Sequence, residues 1–123
     1  MALSTTGYYT TGTQPGTVAA QGNYIPVTGI YATYSGATQY TNGVDFLSFY
    51  SGNASGGSWG VMTTPTGGGL TYSAPGTPTS FPLTGWGVYP GNTAPAPTFA
   101  VIAVASGSIS GISSISGFSS ITF

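Results

Sequence analysis

The sequence predicts an all-β domain, and three observations carry that prediction. Val, Ile, Phe, Tyr, Trp and Thr, the residues that suit a pleated, half-buried backbone, are spread along the whole chain. They come in short runs broken by Gly, Pro and Asn, with turn signals about every 8–12 residues. No stretch shows the apolar stripe of an amphipathic helix. With 123 residues the chain is one domain. The expected form is a single β-sandwich or jelly-roll-like domain over residues 23–123, preceded by an extended N-terminal arm over residues 1–22.

The arm is polar and Thr-rich, with Leu3, Tyr8, Tyr9 and Val18 as its main large apolar groups and a turn at Gln14-Pro15-Gly16. Terminal segments of this kind stay mobile unless docked, and an extended arm can add a strand to a neighbouring subunit. Leu3, Thr5, Tyr8 and Tyr9 are its candidate inter-subunit contacts.

From Asn23 the pattern tightens. Residues 24–28 and 30–34 read as strands joined at Gly29, with Pro26 placing the first at an edge or bulge. Residues 37–41 and 44–50 flank Asn42-Gly43 and form the clearest hairpin, because Asn-Gly suits the two positive-φ positions of a type I′ turn. Strand alternation puts Phe46, Ser48 and Tyr50 on one face and Leu47 and Phe49 on the other.

Residues 51–58 form a loop containing the glycosylation sequon Asn53-Ala54-Ser55. A weak echo follows: SWGVM at 58–62 resembles GWGVY at 85–89. Two copies do not make a solenoid. They read as two similarly placed strands, with Trp59 and Trp86 either as core anchors or as exposed sugar platforms. Residues 70–73 form a short strand between turns at 67–69 and 74–78, and residues 92–97 are an extended Pro-rich connection.

The run FAVIAVA at 99–105 is the only continuous apolar block in the chain. A short segment that is apolar on both faces reads as a strand covered on both sides, so this block is the expected central strand. Beyond it, Ile109, Ile112, Ile115, Phe118 and Ile121 recur every third residue among Ser and Gly. Alternation places Ile109, Ile115, Ile121 and Phe123 on one side of one or two strands. Ile121 and Phe123 are a second candidate inter-subunit contact.

Charge sets the function classes. The chain has no Lys, Arg, His, Glu or Cys, and Asp45 is its only side-chain carboxylate. Disorder is disfavoured, because disordered chains combine low hydropathy with high net charge, whereas here the mean hydropathy is positive. Thr and Ser, 36 residues together, supply the polar outward face that charges normally supply. Their hydroxyls also offer acceptors for O-glycosylation.

Enzyme chemistry lacks its parts. Paired carboxylates are impossible with one acid, a Ser nucleophile has no base, and the stretch 107–111 (GSISG) puts Ile where a nucleophile elbow has Ser. Structural zinc needs Cys or His, and calcium on Asp45 with Asn42 and carbonyls would be weak. No metal or cofactor is expected. Nucleic-acid backbones and anionic membranes both need Lys or Arg, and no apolar run is long enough for a membrane-spanning helix.

The nearly charge-free, Thr/Ser/Tyr/Gly-rich composition over the whole chain resembles extracellular filament subunits and virion surface proteins, especially those of archaea and their viruses. That resemblance implies an extracellular or virion location. It also implies a donor strand within residues 2–13 that completes the next subunit's fold. No basic, apolar leader stands at the start of the sequence, which favours a virion component over a secreted pilus. The expected function is a non-enzymatic, self-assembling structural protomer that binds copies of itself through neutral, backbone-paired and apolar contacts. With one titratable carboxylate, assembly is expected to tolerate changes of pH and salt. The alternative is a glycan-binding or adhesive surface module that engages host-surface sugars through exposed Tyr and Trp.

Overall fold

A computed structural model of the chain describes residues 3–51 and 57–103. The domain is all-β, as the sequence predicts. The described residues form ten strands: β1 (Tyr8–Thr11), β2 (Asn23–Pro26), β3 (Thr33–Tyr34), β4 (Ala37–Thr38), β5 (Tyr40–Thr41), β6 (Phe46–Tyr50), β7 (Ser58–Met62), β8 (Tyr72–Pro75), β9 (Gly87–Val88) and β10 (Thr98–Val101). Eight of them form one antiparallel sheet in the order β10-β1-β2-β5-β6-β7-β8-β9, which curls into a half-barrel. Strands β3 and β4 form a separate hairpin that rests on β6.

Cross-strand register divides the sheet into two faces. Tyr8, Tyr24, Tyr40, Leu47, Phe49, Trp59, Val61, Tyr72 and Phe99 share the inner, concave face and are buried. A half-barrel leaves its concave side open, and the connection between β8 and β10 closes it. Phe81, 9% exposed, lies at the centre of that closure. Its ring stacks on Tyr8 at 4.1 Å and meets Trp59 and Phe99 edge-on, each at 5.2 Å. Trp86 completes the cluster at 5.6 Å from Phe81 and 5.2 Å from Phe99.

The buried tyrosines turn their hydroxyls toward the connecting segments. Tyr40 donates to the Ser4 carbonyl (2.6 Å) and Tyr24 to the Ala20 carbonyl (2.7 Å). Tyr72 takes the Thr17 N–H (3.0 Å) and donates to the Thr93 carbonyl (2.5 Å). An aromatic body in the core with a polar tip at its rim satisfies loop backbone that would otherwise be stranded.

Several expectations need correction. The block at 99–105 does not supply the central strand. Its strand, β10, lies at the edge of the sheet among the described residues, Val101 is 42% exposed, and residues 104 and 105 lie outside the described residues. The interior position falls to β7, every residue of which is buried. Its Gly60 makes that possible: a Cβ there would come within 2.5 Å of Leu70 and 2.6 Å of Met62.

The arm at residues 1–22 is not free over its described part. Strand β1 lies between β10 and β2 of its own chain, and a 3-10 turn over Val18–Ala20 buries Ala20. Gly7 allows the close approach, because a Cβ there would meet the Tyr24 carbonyl oxygen at 1.9 Å.

The hairpin at 37–50 forms, but its loop is four residues long, since Thr41 pairs with Phe46. The type I′ geometry occurs instead at Ser35-Gly36 (φ 51° and 81°), between the paired Tyr34 and Ala37. Of the expected strand at 30–34 only Thr33–Tyr34 is extended, after a 3-10 turn over Gly29–Tyr31. The 70–73 strand is shifted to Tyr72–Pro75. The tryptophan echo is not structurally symmetric: Trp59 sits on interior β7, whereas Trp86 precedes the two-residue edge strand β9. The tail after residue 103 lies outside the described residues.

Phe81→Ala removes the ring that joins Tyr8 and Phe99 to Trp59. It is expected to lower stability by about 3–5 kcal/mol, read as a fall in the urea midpoint.

Candidate interaction surface

The outer, convex face of the sheet has two halves. Over β6 and β7 it is covered. Gln39, fully buried, donates through Nε2 to the Tyr31 carbonyl (2.9 Å) and the Pro65 carbonyl (2.7 Å), and its Oε1 accepts the Ser48 hydroxyl. Those bonds lay the 29–31 and 63–69 segments across the sheet.

Over β10, β1, β2 and β5 the outer face is open among the described residues. Tyr9 stands between Ala100 and Asn23 in register and is 37% exposed. Ile25 stands opposite Thr41 and is 55% exposed. Thr11 and Thr98 face each other at the end of β1, with the Thr98 hydroxyl donating to the Thr11 carbonyl at 2.7 Å. The result is a neutral strip of hydroxyls around two large apolar side chains.

The electrostatics are simple. Asp45 is the only charged side-chain type in the sequence, and it is 2% exposed, so no side-chain charge reaches the surface. Asp45 ends the four-residue turn between β5 and β6. Asn42 organises that turn by accepting the N–H groups of Val44 (2.9 Å) and Asp45 (2.7 Å) on Oδ1. Its Nδ2 reaches across to the carbonyls of Ala19 (2.7 Å) and Gln21 (2.9 Å), tying the N-terminal segment to the turn. The Asp45 Oδ2 is buried without a hydrogen-bond partner, and burial pushes its carboxyl up to about 6.

The sequence-predicted contacts divide as follows. Tyr9 lies in the open strip, and Thr5 is exposed just before β1. Leu3 packs against the core and Tyr8 is buried in it, so within this chain both are already occupied. Trp59 is fully buried, with Nε1 donating to the Thr77 carbonyl at 2.8 Å; this removes it as a sugar platform. Trp86 is half-buried and donates to the Pro82 carbonyl at 2.8 Å. Asn53, Ile121 and Phe123 lie outside the described residues. Sequence reasoning missed Ile25: its exposure follows from sharing the outer face with Tyr9 and Thr41, which becomes visible only once β2 is paired.

No protein-family model, curated protein or solved structure matches this chain.

Asn42→Ala removes both links to the 19–21 carbonyls and the acceptor of the turn. A loss of about 1–3 kcal/mol is expected by urea denaturation, because buried backbone is left unpaired.

Proposed function

We propose that this chain is a self-assembling structural protomer, packed against copies of itself in an extracellular filament or virion shell. The observation that carries this reading is the combination of a surface without side-chain charge and an open sheet face bearing Tyr9 and Ile25. Identical neutral surfaces do not repel one another, and no charge is present to recruit a partner of opposite sign. Covering the exposed half of an Ile side chain is worth about 1 kcal/mol, and that gain recurs at every joint of a polymer.

Strand β1 offers a way to link subunits. In the isolated chain it fills the slot between β10 and β2, where Tyr8 reaches Phe81. The same strand donated by a neighbour would make the same ladder and the same aromatic contacts, so exchange needs no new interface chemistry. The 12–17 connection would then run between subunits. The glycan-binding alternative is weakened by the burial of Trp59 and rests on Trp86 and the exposed tyrosines.

Negative-stain electron microscopy and sedimentation at neutral pH test assembly directly. Regular filaments or shells are expected, unchanged between about 0.05 and 1 M salt because no surface charge is screened. A stable monomer at high concentration would overturn the reading.

Two variants refine the test. Tyr9→Ser combined with Ile25→Ser is expected to cost about 1–2 kcal/mol of stability and still fold, since both sites are part-exposed strand positions, yet to assemble poorly. Thr11→Cys combined with Thr98→Cys places a disulfide across the β1–β10 ladder in a chain with no native Cys. After oxidation of assembled material, a ladder of covalent multimers on a non-reducing gel is expected for exchanged strands. Covalent monomers alone would show that β1 stays in its own chain.

A further inference from the structure

We infer that the Asp45 carboxyl is a proton-operated latch on the N-terminal segment: protonated, it leaves residues 17–22 and β1 docked on the sheet, and ionised, it loosens them. The geometry is unusual for a chain with one acid. The carboxyl is 2% exposed, and its Oδ2 is the one buried side-chain polar atom without a hydrogen-bond partner among the described residues. Its backbone cannot swing it out, because the Asp45 N–H is given to Asn42 Oδ1. Its carbonyl accepts the Thr41 hydroxyl (2.9 Å) and the Asn42 N–H (3.3 Å).

The turn that holds this carboxyl also holds the N-terminal segment. The carbonyls of Ala19 and Gln21 are bound by Asn42, and the Ala20 carbonyl is bound by Tyr24. Three consecutive carbonyls therefore converge on one turn and one phenol. The docking passes on to β1, because the Thr10 N–H donates to the Gly22 carbonyl (3.0 Å) and the Gly22 N–H to Thr10 Oγ1 (2.8 Å).

No counter-charge can answer the ionised form. The chain has no Lys, Arg or His and no second acid, so the titratable side chains that can face Asp45 are tyrosines. Its charge reaches Tyr24 of β2. Burial raises the Tyr24 hydroxyl first, and the Asp45 charge and then Tyr72 of β8 raise it further. An unpaired buried charge is relieved by taking up a proton or by exposing the site to water. The direction follows. Burial raises the folded carboxyl from its ordinary 3.8 to about 6. Its contribution is therefore fully present below 3.8 and is lost as pH rises through about 6. The least costly opening is the segment tied to the turn, since local opening requires less than global unfolding. Insensitivity of assembly to pH, expected from the sequence, thus gives way to a single step set by one residue.

Amide hydrogen exchange on the full chain at about pH 4 and about pH 7, corrected for intrinsic rates, tests the latch. Protection at Thr10, Gln21 and their neighbours in residues 8–24 is expected to be lower than at Val61 at both pH values and to fall by up to about 100-fold between them, through an opening that responds only weakly to urea. Asp45→Asn should abolish that pH dependence, and Asp45→Ala, which buries no amide, should do the same if the first variant folds poorly. Equal protection at the two pH values, exchange of residues 8–24 only through the same strongly urea-dependent global opening as Val61, or a pH slope retained in both variants would each overturn the inference.

The consequence for assembly, faster subunit exchange above pH 6, rests on the proposed function. Absence of any polymer would sink that reading and leave the exchange result standing.

Discussion

A curled sheet of eight strands is an incomplete container, and here it is closed by a single aromatic ring. Phe81 touches Tyr8 and Phe99 from one end of the strand order and Trp59 from the other. The first and last described strands, β1 and β10, are held in the same fold as β7 through that contact. Aromatic rings suit the task, since edge-on and stacked contacts carry direction as well as area. The ladder fixes neighbours within the sheet, whereas Phe81 fixes the curl.

The second layer of organisation is the tyrosine rim. Tyr24, Tyr40 and Tyr72 fill the core as Phe would, and their hydroxyls bind Ala20, Ser4, Thr17 and Thr93 on the segments that flank the sheet. A chain without cationic side chains cannot anchor its loops with side-chain ion pairs. It uses neutral hydrogen bonds from buried rings, which are indifferent to salt. Asp45 is the exception, and it sits where Tyr24 and Asn42 together hold the N-terminal segment.

How much of this could be read from the sequence depended on whether a strand's own residues carried the signal. The all-β class and the place of the 37–50 hairpin were legible, because alternation and turn residues are local; the turn type was not, since Asn42-Gly43 lies inside a four-residue loop. The rank of strands within the sheet was not. Phe99-Ala100-Val101 is apolar enough to suggest a centre, but an edge is defined by what fails to pair beside it. Ser58-Trp59-Gly60 hid an interior strand, because the missing Cβ of Gly60 is filled by Leu70 and Met62. Residues 8–11 looked like a free arm, since the partner that buries Tyr8 is Phe81, far along the chain. For the candidate surface, Tyr9 could be named from the sequence, while Ile25 needed the register of β2 against β5.

Edges complete the logic of a neutral β protein. Open strand edges invite indiscriminate pairing, and many proteins blunt them with Lys or other charges, an option this sequence lacks. The fold limits its edges by other means. Strand β9 is two residues long, which offers little ladder to a stranger. Strand β10 turns the Phe99 N–H outward, but the Leu83 carbonyl accepts it at 2.8 Å, so part of that edge is already occupied by the segment that carries Phe81. The element that closes the core thus also guards an edge. In the proposed assembly, contacts between copies would be directed away from casual edge pairing and toward features with shape: the open strip around Tyr9 and Ile25, and the slot that β1 fills. A surface without charge can therefore associate in a defined geometry, because its directionality is carried by strand register and side-chain shape.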